Sequence, residues 1–149
     1  MSLKIKIFKA CIKQLDDKIS SLKVALNDLE KGAENDSKSS AGDKHETGRA
    51  MMQLEHEKIS RQLNDSLSQK AAIEQMDQAM ESAIIASGSL IKTNRGYLFI
   101  CVALGKITID GIEIMTLSMQ SPLGQRLIGL KPGDMAEING LHYTVEKVL

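Results

Sequence analysis

The chain has 149 residues, and 19 Lys and Arg balance 19 Asp and Glu to a formal net charge of zero. That length suits one ordinary domain or two small ones, and the even balance argues against general nucleic-acid binding, which needs a cationic surplus. Aromatic residues make up 3% with no Trp, too few for a base-stacking platform. The two cysteines, Cys11 and Cys101, sit one in each half, which speaks against a disulfide framework and fits a reducing cytoplasm. No apolar run is long enough to span a bilayer, and Met1-Ser2-Leu3-Lys4 lacks the apolar stretch of a secretory signal. The expectation is a soluble cytoplasmic protein with no membrane contact.

Residues 4–35 read as a first helix. Ile5, Phe8, Ile12, Leu15, Ile19, Leu22, Leu26, Leu29 and Ala33 recur in alternating steps of three and four, the heptad rhythm of a coiled coil. At 1.5 Å per residue that stripe runs roughly 40 Å and needs a partner. Residues 32–42 are rich in Gly, Ser, Asn and Asp, whose side chains compete with helical backbone bonds, and predict a turn. A second helix is expected over 44–83, with a looser apolar series of Met52, Ile59, Leu63, Leu67, Ala71, Ile73, Met76 and Met80. A short turn between two long helices implies an antiparallel hairpin.

From Ser87 onward the pattern becomes short β-branched runs at 89–93, 97–104, 106–109, 112–117, 135–138 and 141–148. Asp110-Gly111 and Asn139-Gly140 are hairpin signals, because type I′ turns need positive φ at both central residues. Ser121 caps and Pro122 opens one short helix that ends near Gly129. The expected fold is α+β: a coiled-coil hairpin over 1–83 with its tip near 36–48, then a small antiparallel sheet domain over 87–149. So small a domain has a marginal core, and packing against the base of the hairpin would enlarge it.

Gly42-Asp43-Lys44-His45-Glu46 falls at the break between the helices. Asp43-x-x-Glu46 reads as a capping box at the start of the second helix, where negative charge also suits the helix dipole. It also reads as two exposed carboxylates able to help hold a divalent cation such as Mg²⁺. The two readings are compatible. His45, His56 and His142 have no metal-ligand spacing with the cysteines, and the eight Met residues read as flexible packing.

The chain resembles the bacterial Gre transcript-cleavage factors and their Gre-like relatives. The hairpin length, the tip Gly42-Asp43-Lys44-His45-Glu46 and the run Ser121-Pro122-Leu123-Gly124-Gln125-Arg126-Leu127-Ile128-Gly129 followed by Gly133-Asp134 carry the likeness. It implies an FKBP-like sheet domain and RNA polymerase as partner. Ser121, Pro122 and Leu123 would contribute to docking at the rim of the secondary channel. The hairpin would enter that channel, and Asp43 and Glu46 would help hold Mg²⁺ in the polymerase active site, touching the RNA 3′ end only indirectly. The chain would then be a monomer, no enzyme in its own right and without a stably bound cofactor. Thr47-Gly48-Arg49-Ala50 stands where these factors commonly carry Asn-Ala-Glu-Tyr, and the family's acidic docking residue has no clear counterpart from Glu113 to Gln120. A Gre-like inhibitor that binds without promoting cleavage is therefore the alternative. An FKBP-type prolyl isomerase is a further one, with only Tyr97, Phe99 and Tyr143 to line a pocket.

Overall fold

The computed structural model describes residues 2–38 and 43–149, and their side chains except those of 33–38 and 43–46. They form two compact units, one of residues 13–70 and one of residues 1–12 with 71–149.

The first of these units is made by two helices, α1 (Leu3–Lys38) and α2 (Asp43–Glu74). The Lys70 ammonium lies 2.6 Å from the Asp16 carboxylate, and the His56 ring 3.3 Å from Glu30. Gly32 faces Met52, whose Cε would stand 3.2 Å from a Cβ at position 32. These three pairs are nearly symmetric about residue 43, so the helices run antiparallel and α2 begins at the turn end of the pair. Leu15 and Ile19 are buried on α1, with Leu22, Leu26 and Leu29 half-buried beyond them.

On α2 the inward positions are Met52, His56, Ile59, Leu63, Ser66 and Lys70, again in steps of four and three. This corrects the expected stripe, because Leu67 is 42% exposed and Ala71 is also exposed, while Ser66 is fully buried. The phase of a helix in a two-helix seam is set by its partner. Leu67 stands one residue, about 100° of helical rotation, past the seam.

In the second unit α1 takes its phase from the sheet rather than from α2. Ile7, Phe8 and Cys11 are buried there, and Ile12 only half-buried, whereas the heptad pattern had favoured Ile12. Burying each such large apolar side chain contributes about 1.5–3 kcal/mol, which is how the small sheet gains the enlarged core expected of it. Ile73, near the end of α2, is also buried in this unit. The helix stops at Glu74, short of the expected Ala83, for a local reason. The Asp77 carboxylate accepts the Ala79 N–H at 3.0 Å, and its carbonyl accepts the Met80 N–H at 3.2 Å. Such short-range bonds give the backbone an alternative to the helix.

Residues after this turn are fastened to the sheet domain. The Ile85 N–H donates to the Leu130 carbonyl at 2.8 Å, and the Gly88 N–H to the Ile100 carbonyl at 2.7 Å. Six strands follow: β1 (Leu90–Thr93), β2 (Gly96–Cys101), β3 (Gly105–Ile109), β4 (Ile112–Ser118), β5 (Met135–Ile138) and β6 (Leu141–Val148). Their order is β3-β4-β2-β1-β6-β5. All pairings are antiparallel except β2 with β4, which is parallel, with Tyr97 opposite Ile114 and Cys101 opposite Ser118. β3 lies outside β4, so β4 returns alongside β2. Both expected hairpin turns are present, with φ of 53° and 79° at Asp110-Gly111 and 51° and 79° at Asn139-Gly140.

One sheet face builds a core from Ile91, Leu98, Ile100, Leu117, Ala136 and Val145, covered by Ile85 and by Leu127 of the short helix α3 (Pro122–Leu127). Alternation along β2 turns Phe99 to the opposite face, where the Phe8 ring meets it edge-on with centroids 5.0 Å apart. The fold is α+β as expected: a helical hairpin, then a mainly antiparallel sheet with one short helix.

Candidate functional site

The residues singled out by sequence fall into two places, one in each unit. In the helical unit α2 begins at Asp43, so Asp43 and Glu46 occupy its first turn. Their side chains lie outside the described residues, and so do both the capping-box reading and the cation reading. Two turns further on, Leu29, Glu30, Arg49, Met52, Gln53 and His56 line an open cavity of about 510 Å³. The His56–Glu30 contact closes one side of it. The imidazole is thus a member of the helix seam and half-exposed. Among the described residues no group of three or more His, Cys, Asp or Glu could hold a metal ion.

The second place is the turn from β4 into α3, and its geometry explains nearly every residue of the Ser-Pro run. The Ser121 hydroxyl donates to the Ser118 carbonyl at 2.7 Å and accepts the Gly124 N–H at 3.0 Å. In return the Ser121 N–H donates to the Ser118 hydroxyl at 3.2 Å. Pro122 takes the first helical position, where its missing N–H costs nothing and its fixed φ is already helical. A Cβ at Gly124 would run into the Ser118 carbonyl oxygen, so only glycine lets the helix start this close to the strand. Leu127 closes the core, and Leu123 is half-buried against it. Arg126, in the last turn, complements the negative end of the helix.

Gly133-Asp134 finishes the same construction. The Lys131 N–H donates to the Asp134 carboxylate at 3.0 Å, and Gly133 and Asp134 exchange backbone bonds with Val145. Most of the signature therefore builds the turn. Its exposed members are Pro122, Gln125, Arg126, Gly129 and Gly133, and Met119 and Gln120 are exposed just before it. Of the three predicted docking residues, Pro122 is exposed, Ser121 is occupied as a cap and Leu123 is turned partly into the core. Sequence reasoning passed over Ser118, whose hydroxyl and carbonyl are the far half of the knot. A serine three residues before Ser-Pro was the available signal.

Tyr97, Phe99 and Tyr143 do not converge. Phe99 is fully buried under Phe8, whereas Tyr143 belongs to the opposite sheet face, packed against its core with the Arg95 guanidinium 5.7 Å above the ring. A larger cavity, of about 610 Å³, opens elsewhere in this unit between the start of α1 and residues 78–83. Lys4 projects into it and donates to the carbonyls of Met80 and Leu149. Burial pushes the Lys4 ammonium below its usual pKa, against the smaller opposing pull of Glu81 and Asp77.

No helix among the described residues is long and apolar enough to cross a membrane. No protein-family model matches the chain, and no curated protein matches it. Among solved structures it is similar to the GreA factor homolog 1 (Gfh1) protein of Thermus thermophilus, at 14% identity with a TM-score of 0.34, covering 95% of this chain and 94% of that one. It is similar also to a structure of the transcription factor Gfh1, at 15% identity with a TM-score of 0.34, covering 95% and 92% of the two chains. Superpositions this loose bear no weight in reading either site.

Proposed function

We propose that this chain is a Gre-like transcription elongation factor that binds bacterial RNA polymerase. The sheet domain docks through the surface around Pro122, and the hairpin enters the secondary channel with Asp43 and Glu46 leading. The observation that carries the reading is the helix register. Pairing symmetric about residue 43, with α2 beginning at Asp43, supports a position for Asp43 and Glu46 at the turn end of the antiparallel pair. The Ser118–Ser121–Gly124 knot gives a physical reason for the serine and the first glycine of the Ser-Pro run that accompanies that motif.

Asp43 and Glu46 would offer hard carboxylate oxygens suited to Mg²⁺, which keeps several waters and needs only one or two acids from any one protein. A second Mg²⁺ would activate water and stabilise the leaving oxygen in phosphodiester cleavage. The polymerase supplies the rest of the site, so the chain modulates catalysis and is not an enzyme.

A second reading, a Gre-like inhibitor of polymerase, is favoured by Arg49. This exposed cation stands two turns into α2, where the family commonly places an acid. The test is a pull-down with bacterial RNA polymerase followed by RNA cleavage in stalled complexes. Binding is expected, with cleavage stimulation lost in Asp43→Ala and in Glu46→Ala at unchanged helicity. Binding without stimulation selects the inhibitor, and absence of binding refutes both.

A further inference from the structure

We propose that Cys11 and Cys101 form a redox modification site, a dithiol that peroxide converts to a disulfide fastening residues 3–12 of α1 to β2. This stands apart from the polymerase reading and does not depend on it. Phe8 and Cys11 are three residues apart on α1 and share a face, about 4.5 Å apart along the axis. Phe99 and Cys101 are two residues apart on β2 and share a face, about 6.6 Å apart. The Phe8 and Phe99 rings touch, and Lys6 meets Asp110 at 2.6 Å, at the end of β4 that lies beside the start of β2, so α1 and β2 run the same way and Cys11 falls beside Cys101. Both cysteines are buried and unbridged.

The surroundings make the pair unequal. A hydrogen bond from Cys101 holds the Cys11 thiol below its ordinary pKa, against the opposing effect of burial. The same hydrogen bond together with burial pushes Cys101 far above its own. Cys11 is thus the attacking thiolate and Cys101 the resolving thiol. Cys11 Sγ attacks one peroxide oxygen, the O–O bond breaks, and the departing hydroxide takes up a proton to become water. Cys101 Sγ then displaces the hydroxyl of the Cys11 sulfenic acid, forming the S–S bond, and that hydroxyl leaves with the Cys101 proton as a second water. Two thiols lose two electrons and one peroxide becomes two waters. Peroxide is small, and Cys101 keeps 5% of its surface open to solvent.

The bridge would close a loop of about 90 residues that contains the whole of unit 13–70. Separation of the start of α1 from the sheet would then be blocked covalently.

The test treats the reduced full chain with hydrogen peroxide, counts thiols after denaturation and maps peptides without reduction. Loss of both thiols is expected, with one Cys11–Cys101 cross-linked peptide and reversal by dithiothreitol. A melting temperature higher by on the order of 10 °C should accompany it. Cys11→Ser and Cys101→Ser should each abolish the cross-link and the shift, and Cys→Ala at either site serves if the serine variant fails to fold. Persistence of both thiols, sulfinic acid without cross-link, or only intermolecular bridges would overturn the proposal. A cross-link with no change in melting would overturn the fastening.

Discussion

Replacing Gly124 by Ala reverses the sign that helix propensity assigns. In an exposed helix interior, Gly→Ala stabilises by about 1 kcal/mol, because Ala loses less backbone freedom on folding. Gly124 does not have a positive φ, so its backbone would accept Ala. The obstacle is the β4 end: the new Cβ would meet the Ser118 carbonyl oxygen, with Ser121 Oγ 2.9 Å and the Ser118 carbonyl carbon 3.1 Å away. A carbonyl fixed in a strand cannot swing aside as a flexible side chain can. The first turn of α3 must therefore lift, stretching the 3.0 Å Gly124–Ser121 and 2.7 Å Ser121–Ser118 bonds and shifting Leu127 in its core site. Overpacking of this kind costs about 1–3 kcal/mol, and loss of the cap adds about 1 kcal/mol. Together these cost about 2–4 kcal/mol, and the propensity gain of about 1 kcal/mol brings the expected net destabilisation to about 1–3 kcal/mol. Urea unfolding followed by circular dichroism measures it. Ser121→Ala, which removes only the cap, should cost about 1 kcal/mol and calibrates the comparison. Stability equal to or above the original chain in Gly124→Ala would refute the argument that close approach dictates this glycine.

Two further outcomes follow from buried polar groups. Ser66 is fully buried with no hydrogen-bond partner for its hydroxyl among the described residues, so Ser66→Ala should raise stability by about 0.5–1.5 kcal/mol; a loss above about 1 kcal/mol in thermal unfolding would mean that the hydroxyl is satisfied. Lys4 has a folded pKa below its unfolded value of 10.5, so between the two the unfolded chain binds more protons and stability rises with pH. The stability difference between the original chain and Lys4→Met, measured in urea from neutral pH to about pH 11, should therefore climb through that window. A flat or falling difference would contradict the desolvation of the ammonium.

Several elements could be read from the sequence because short-range chemistry decides them. Asp110-Gly111 and Asn139-Gly140 make hairpins through their own φ preferences, and Ser121-Pro122 starts a helix through its hydroxyl and its ring. The stop at Glu74 was equally local, reinforced by the Asp77 carboxylate against an N–H two residues on, but the apolar series through Met76 and Met80 masked it. At the tip, sequence placed Asp43 and Glu46 at the opening of α2, and the symmetric register gave that position a structural basis.

By itself, then, the sequence determined the order of hairpin and sheet, the turn positions and the motif-bearing segments, because periodicity and turn chemistry act over a few residues. Tertiary structure alone decided which face of each element is buried. It turned Ser66 inward and Leu67 outward, ran β4 parallel to β2, and set the Phe8 ring against Phe99 from the far end of the chain. These outcomes depend on the phase of one element against another distant in sequence. A helix rotated by one residue keeps the same local energetics and buries a different side chain.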